Sequence, residues 1–384
     1  MGDVGSVSMC RRIFKEQTSE SGDIPFYKIG TFGGEADAFI SRELFEEYKA
    51  KYPYPKKGDI LISASGSIGR TVEFTGENEY FQDSNIVWLN HDERLDNSFL
   101  KCFYSVVKWA GIEGSTIKRL YNDNILNTTI TLPSVAEQKK IGEYFSIIDH
   151  LITLSQRKID KLKNLKKSML EKMFPKKGTV SPEIRFNGFT NAWKQRKVLD
   201  LLIQPITDGP HETPKLVEEG VPFISVDAIV DNKIDFNRKR GNISEEYDEL
   251  CCKKYKPQFH DVYLVKSGST VGKVAIVETT DRFNIWSPLA AMRCGEKTYP
   301  YFLYDLLQTK DLQAQVADKA SNGTQPNLSM RELEKFPVSV PSNLEEQKKI
   351  GDYFRNLDHL IILHQRKLDM LKKLKSACLS EMFI

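Results

Sequence analysis

One stretch of 38 residues occurs twice in this chain and decides its architecture. Residues 137–174 read EQKKIGEYFSIIDHLITLSQRKIDKLKNLKKSMLEKMF, and residues 346–383 read EQKKIGDYFRNLDHLIILHQRKLDMLKKLKSACLSEMF. The two copies are identical at 24 of 38 positions, with a constant offset of 209 residues. A repeat at this spacing predicts that the chain contains two copies of one structural unit.

The repeated stretch has the pattern of a long helix with one apolar face. Its apolar residues recur three and four positions apart, as at Ile141, Phe145, Ile148 and Ile152 in the first copy. We therefore predict one coiled-coil helix in each copy. Two similar units in one chain favour a pseudo-two-fold arrangement, in which the two helices run antiparallel.

The blocks between the helices are also related, although less closely. The run Ser65-Gly66-Ser67-Ile68-Gly69-Arg70 parallels Ser267-Gly268-Ser269-Thr270-Val271-Gly272-Lys273. Short apolar runs separated by Gly, Ser, Asn and Asp predict a mixed α/β domain in each block. Each domain is expected to contain a helix, at residues 99–109 or 301–317, and a last strand that leads into Pro133 or Pro341.

The predicted fold class is α+β, with two similar mixed α/β domains separated by two long antiparallel coiled-coil helices and an internal pseudo-two-fold repeat. The predicted boundaries are 1–133 for the first domain, 134–175 for the first helix, 176–341 for the linker and second domain, and 342–384 for the second helix. An offset of 197 aligns Asp3 with Asp200, so the first copy has no equivalent of residues 182–198. We expect its first domain to be slightly trimmed, or the missing strand to be supplied elsewhere.

Composition and charge indicate which classes of protein this chain resembles. The 384 residues carry a net charge of +3, and residues 136–174 have nine basic and five acidic side chains. Six scattered cysteines without a Cys-x-x-Cys pair favour reduced thiols and give no sign of a metal site. No apolar run is long enough to span a membrane, which favours a cytoplasmic protein.

No motif in the sequence predicts catalysis or a bound cofactor. The nearest candidate, residues 266–274, is one residue short of a phosphate-binding loop and has Val where a magnesium-binding Ser or Thr is needed. No Gly-x-Gly-x-x-Gly follows a predicted strand. We therefore expect no catalytic residues, no cofactor and no metal in this chain.

The order of variable domain, long helix, variable domain and long helix resembles the specificity subunit of type I restriction–modification systems. The resemblance covers nearly the whole chain and includes the phrases Thr207-Asp208-Gly209-Pro210-His211, Gly323-Thr324-Gln325-Pro326-Asn327 and Ser181-Pro182-Glu183-Ile184-Arg185-Phe186. It implies that the variable blocks are DNA target recognition domains and the helices are spacers. It also implies that methylation and cleavage belong to partner subunits.

DNA contacts are expected from loops that carry small residues with free backbone donors, and from side chains that reach base edges. In the first domain the candidates are Lys28, Ser65, Ser67, Arg70, Lys118, Arg119 and Asn122. In the second domain they are His211, Thr213, Lys215, Lys266, Ser267, Lys273, Asn322, Thr324, Gln325 and Asn327.

The function that we predict is recognition of a bipartite, non-palindromic DNA site by a subunit that is not itself an enzyme. The expected partners are double-stranded DNA, two DNA methyltransferase subunits and restriction/translocase subunits, with no membrane. Two alternatives stay open: a stand-alone DNA-modifying enzyme with a similar recognition domain, and a structural coiled-coil adaptor that does not select DNA sequences.

Overall fold

The computed structural model describes residues 1–110, 119–321 and 326–383. The chain divides into two compact units. Unit 1 consists of Met1–Gln156 and Arg366–Ile384, and unit 2 consists of Arg157–Gln365. Each unit therefore contains one α/β domain and segments of both long helices.

Unit 1 forms around two small sheets. Its elements in chain order are β1 (Gly5–Met9), β2 (Ile24–Tyr27), β3 (Phe39–Ile40), α1 (Arg42–Lys51), β4 (Ile60–Ser63), β5 (Thr71–Glu73), β6 (Tyr80–Phe81), β7 (Ile86–His91), α2 (Asn97–Tyr104), α3 (Asn122–Leu126) and the long helix α4 (Val135–Lys172), which continues into unit 2. One sheet has the antiparallel order β1-β7-β4-β5. The other has the order β3-β2-β6, in which β2 and β6 are parallel.

Unit 2 repeats this plan with additional elements. In chain order they are β8 (Lys194–Lys197), β9 (Thr207–Asp208), β10 (Val221–Ile224), β11 (Ile229–Val230), β12 (Lys233–Ile234), β13 (Gly241–Ile243), α5 (Glu245–Lys254), β14 (Val262–Val265), β15 (Val274–Ile276), β16 (Asn284–Ile285), β17 (Leu289–Met292), α6 (Pro300–Gln308), α7 (Lys310–Lys319), α8 (Met330–Lys335), β18 (Pro337–Val340) and the second long helix α9 (Leu344–Met382), which ends in unit 1. The strand orders β9-β17-β14-β15 and β13-β10-β16 match the two sheets of unit 1, down to the single parallel pair β10 and β16. This correspondence confirms the predicted pair of similar α/β domains.

The two long helices run antiparallel within each unit. In unit 1 the Tyr144 hydroxyl lies 3.6 Å from Cys378 Sγ, and Lys375 Nζ donates to Asp149 Oδ1 at 2.6 Å. Residue numbers therefore rise along α4 as they fall along α9. In unit 2, Lys166 Nζ lies 2.7 Å from an Asp358 carboxylate oxygen. The predicted antiparallel arrangement is confirmed.

A buried glutamine joins the start of each long helix to its domain. Gln138 Nε2 donates to the carbonyls of Arg94 and Pro133, and its Oε1 accepts from the Asp96 amide. In unit 2, Gln347 Nε2 donates to the equivalent carbonyls of Lys297 and Pro341, and its Oε1 accepts from the Tyr299 amide. Each glutamine thereby satisfies three backbone groups where the domain meets its helix.

The glycine four residues later has a packing role. A Cβ on Gly142 would lie 1.8 Å from Ser98 Oγ and 2.4 Å from Ser98 Cβ. A Cβ on Gly351 would lie 2.9 Å from the Phe302 amide nitrogen and from the Tyr299 ring. The helix and the domain therefore approach more closely than any side chain at this position would allow.

The structure corrects three sequence predictions about secondary structure. The helix expected over residues 99–109 is α2, which ends at Tyr104. Residues 129–132 form no strand, so the strand expected before Pro133 is absent. Its equivalent in unit 2, β18, pairs with β8. That pairing uses a segment for which the first copy has no equivalent. The single helix expected over residues 301–317 is two helices, because Thr309 adopts an extended backbone and caps α7 by accepting from the Leu312 amide.

Candidate nucleic-acid interface

The Ser-Gly-Ser loop of the first domain is a tight turn that joins β4 to β5. Its ends are held by hydrogen bonds from the Ser63 amide to the Arg70 carbonyl, 2.9 Å, and from the Gly69 amide to the Ser63 carbonyl, 3.0 Å. Gly66 and Gly69 have positive φ angles of 64° and 82°, which glycine adopts without strain. The turn thereby presents Ser65 and Ser67 at the end of the sheet.

Two further segments join this turn. The Ala64 amide donates to the Asn85 carbonyl, and the Leu120 amide donates to the Ala64 carbonyl, both at 2.7 Å. Ser65 consequently lies opposite Arg119 in an isolated antiparallel bridge. The structure thus brings together three of the predicted residues from distant parts of the sequence, Ser65, Ser67 and Arg119.

The second domain builds the same frame from different side chains. The Lys266 amide donates to the Pro288 carbonyl at 2.8 Å, and the Leu328 amide donates to the Lys266 carbonyl at 2.7 Å. Ser267 lies opposite Asn327 in an antiparallel bridge, as Ser65 lies opposite Arg119. The two domains therefore present equivalent backbone positions with different side chains.

Intramolecular contacts orient the other predicted side chains of the first domain. Arg119 Nη2 donates to the Ser84 carbonyl at 3.1 Å, and Arg70 Nη2 donates to the Gly33 carbonyl at 3.3 Å. Lys28, in the loop after β2, lies 2.8 Å from an Asp37 carboxylate oxygen. Asn122 is the exposed first residue of α3.

A buried carboxylate organises the second domain. Asp208, at the end of β9, is fully buried and accepts a hydrogen bond from Lys254 Nζ. Its Oδ2 lies 3.1 Å from His211 Nε2 and 3.3 Å from Lys266 Nζ. The Lys266 side chain is only 11% exposed, whereas that of His211 is 70% exposed. Asp208 thus holds the buried ammonium of Lys266 and the exposed imidazole of His211 at the same edge of the domain.

The loop that carries His211 lies directly on the end of β16 and on the two residues that follow it. A Cβ on Gly209 would lie 1.8 Å from the Ile285 carbonyl oxygen, so only glycine fits there. The Ser287 amide donates to the Pro210 carbonyl at 3.2 Å, and Trp286 Nε1 donates to the Glu212 carbonyl at 3.1 Å.

The remaining predicted residues of this domain lie around the same loops or outside the described part. Thr213 and Lys215 are exposed in the loop that follows Glu212. Lys273, at the far end of the Ser-Gly-Ser loop, is exposed and places Nζ 3.5 Å from the Ile229 carbonyl. The predicted residues Lys118, Asn322, Thr324 and Gln325 lie outside the described residues.

Sequence reasoning missed several polar groups at these edges. Asp208 and Lys254 are 46 positions apart, and nothing in the local sequence indicates that they meet. Arg12 and Arg240 belong to short basic runs, Arg11-Arg12 and Arg238-Lys239-Arg240. These runs could have indicated a DNA-binding surface from the sequence alone. Arg12 Nε donates to Asp83 at 2.8 Å, next to the loop of Asn85.

Comparison with known families identifies the architecture. The type I restriction modification DNA specificity domain matches the chain twice, over residues 1–164 and 206–373. The chain belongs to this family. The resemblance predicted from the repeated helix and the Ser-Gly-Ser loops is confirmed.

Relatives of this specificity-domain family support the assignment over different shares of the chain. The chain is 62% identical over 156 residues to S.HindORF215P of Haemophilus influenzae, which is named as a type I restriction enzyme specificity subunit. That match covers 40% of each protein. The MjaVIII specificity subunit of Methanocaldococcus jannaschii is 25% identical over 338 residues, which cover 83% of this chain and 73% of the relative.

Solved structures share the fold at low sequence identity. The S subunit of a type I restriction–modification system from M. genitalium matches with a TM-score of 0.62 and 14% identity, covering 100% of this chain and 94% of that one. A chain from a study of assembly of the type I R-M system matches with a TM-score of 0.55 and 15% identity, covering 100% and 96%. Within the described residues, none of the helices combines the length and the apolar character needed to cross a membrane.

Proposed function

We propose that this chain is the DNA specificity subunit of a type I restriction–modification complex, and that its two domains each read one half of a bipartite, non-palindromic site. The observation that carries this proposal is that the two domains share the backbone hydrogen bonds around the Ser-Gly-Ser turn but present different side chains there. Ser65 and Arg119 occupy the backbone positions that Ser267 and Asn327 occupy in the second domain. Because arginine suits guanine and asparagine suits adenine, equivalent positions would select different bases.

Within this proposal the predicted residues divide into two roles. We propose that exposed groups such as His211, Thr213, Lys215 and Ser67 contact DNA. The buried ammonium of Lys266 acts indirectly, because its position beside Asp208 holds the loop that carries His211. We propose the same division of the chain as the sequence suggests: a first domain at 1–133, a linker and second domain at 176–341, and spacer helices at 134–175 and 342–384.

An exchange of domains tests the proposed function. Replacement of residues 200–340 by the equivalent block of another specificity subunit should change one half of the methylated site and leave the other half intact. The readout is genome-wide sequencing of methylated bases in cells with and without the chain and its modification subunit. Altered methylation in both halves, or in neither, would contradict the independent reading of half-sites.

We further propose that the complex contains two methyltransferase subunits, one for each unit, in addition to restriction subunits. Both units expose leucines at positions related by the repeat. Unit 1 exposes Leu151, Leu154 and Leu374, and unit 2 exposes Leu360, Leu363 and Leu165. Residues three apart on a helix are neighbours, so Leu151 with Leu154, and Leu360 with Leu363, each form one exposed apolar patch. Contiguous apolar patches are typical of surfaces that bind a partner.

The stoichiometry of the complex tests this proposal. Replacement of Leu151 and Leu154 by glutamate should leave a complex with one modification subunit, as should the matched change at Leu360 and Leu363. Native mass spectrometry measures the result. A complex that keeps both subunits in both variants would show that these leucines are not the docking surfaces.

Methyl transfer and DNA cleavage belong to the partner subunits in this proposal. Purified chain incubated with DNA and a methyl donor should therefore transfer no methyl groups, whereas the chain with its modification subunit should. Because its partner would be chromosomal DNA and its six cysteines are free thiols, we place the complex in the cytoplasm.

A further inference from the structure

Arg240 lies outside the predicted loops, but its side chain is placed at the same edge of the second domain. Its guanidinium carbon lies 4.1 Å from the centroid of the Trp286 ring. Trp286 is adjacent to Ser287, whose amide binds the loop that carries His211. Arg240 is exposed and therefore accessible to a ligand bound at these loops.

The tryptophan is a fixed platform. Its amide donates to the Ile224 carbonyl at 2.9 Å, and its indole nitrogen donates to the Glu212 carbonyl. The ring packs against the small apolar core formed by Val221, Phe223 and Ile243. An arginine stacked on such a ring loses much of its side-chain freedom before it binds anything.

The neighbouring basic residues differ from Arg240 in one respect. Arg238 lies 3.7 Å from an Asp235 carboxylate oxygen, and Lys239 Nζ donates to Asn242 Oδ1 at 2.7 Å. Among the described residues, Arg240 makes a backbone hydrogen bond from its amide to the Phe223 carbonyl, and its guanidinium contacts the Trp286 ring but no hydrogen-bonding or charged group. Its planar set of five donors is thus both oriented and available.

We infer that Arg240 is a base-reading residue of the second domain, that it donates to O6 and N7 of a guanine in the major groove, and that Trp286 is its positioning residue. This inference rests on the proposed function. A guanidinium held against the Trp286 ring has a restricted plane, and bidentate recognition of guanine O6 and N7 requires such a plane. A phosphate contact would instead weaken binding to every duplex equally. The first domain has Gln82 at the position of Trp286, since the Gln82 amide donates to the Tyr27 carbonyl as that of Trp286 donates to Ile224. The first half-site is therefore read without this pair.

Two matched variants test the inference in the complete complex of chain and modification subunits. Binding is measured to a set of duplexes in which each base pair of the second half-site is changed in turn. Arg240→Gln should remove discrimination at one G·C pair, roughly 5- to 150-fold, and leave discrimination at the other positions unchanged. Arg238→Gln, the control, should weaken all duplexes equally, because its charge contributes without base contact.

Variants of Trp286 test its positioning role in the same binding assay. Trp286→Leu should reduce discrimination at the same G·C pair as Arg240→Gln, and Trp286→Phe should restore part of it because phenylalanine keeps an aromatic face. Equal weakening of every duplex by Arg240→Gln, or no change at all, would overturn the inference. That failure is distinguishable from failure of the proposed function, because the exchange of residues 200–340 would still alter one half-site.

Discussion

Replacement of the buried Asp208 by alanine should destabilise unit 2 and should also change how the complex binds DNA. Asp208→Ala leaves the Lys266 ammonium, 11% exposed, without its carboxylate partner. Breaking a buried ion pair in this way costs about 3–5 kcal/mol. For a unit the size of Arg157–Gln365, that corresponds to a fall in Tm of roughly 6–20 °C. Lys254 contributes less, because its half-exposed side chain can return to water.

The same change should alter DNA binding in two directions. One negative charge is lost beside the exposed His211, so binding to unrelated DNA should strengthen at low salt. The loop of His211 also loses an anchor, so the preference for the correct second half-site should fall. The assay is competition between specific and unrelated duplexes at two salt concentrations, with the complete complex.

A double variant supplies the control for the Asp208 prediction. Asp208→Ala combined with Lys266→Gln removes both charges, so it should recover most of the Tm lost in Asp208→Ala alone. Additive losses in the double variant would refute the reasoning that an unpaired buried ammonium causes the destabilisation. An Asp208→Ala complex with unchanged discrimination would refute the proposed link between this cluster and the DNA-contacting loop.

Two further predictions concern stability alone. Burial raises the pKa of Asp305 in α6 well above its usual range, and neither side-chain oxygen has a hydrogen-bond partner among the described residues. The folded state therefore favours the protonated carboxyl of Asp305. The stability of unit 2 should fall as pH rises above about 4 towards the raised pKa. Asp305→Asn should abolish this fall, which Tm measurements from pH 5 to 9 would detect. Gly351→Leu should destabilise unit 2 by about 1–3 kcal/mol in denaturant titrations, because the new side chain meets the Phe302 backbone, and Gly142→Leu is the matched variant in unit 1.

The repeated helices could be predicted because their pattern is local and occurs twice. The spacing of Ile141, Phe145 and Ile148 indicates a helix without knowledge of what it contacts. The pairing of Ser65 with Ser267 across the two copies likewise came from aligned local sequence, and both residues occupy equivalent turns.

Contacts between distant segments could not be predicted in the same way. Arg240 and Trp286 are 46 positions apart and meet only because β10 lies between β13 and β16 in one sheet. Lys266 was predicted to contact DNA, but the sequence does not show that its ammonium lies beside the buried Asp208. Burial and charge pairing depend on the tertiary fold, so a basic residue beside a turn does not by itself show whether its ammonium faces solvent.

The hydrogen bonds explain why the two copies differ in the recognition loops but keep the same glutamine where each long helix begins. The turn in each domain is held by backbone groups, such as the Leu120 amide on the Ala64 carbonyl and the Leu328 amide on the Lys266 carbonyl. Side chains at these positions can change without loss of those bonds, so a domain can acquire a new half-site and keep its fold. The helix junction instead depends on the side chain of Gln138 or Gln347, for which no other residue offers the same donor and acceptor at the same reach. Substitution there would leave buried backbone groups unpaired at a cost of about 1–3 kcal/mol each, so both copies keep this glutamine while the recognition loops diverge.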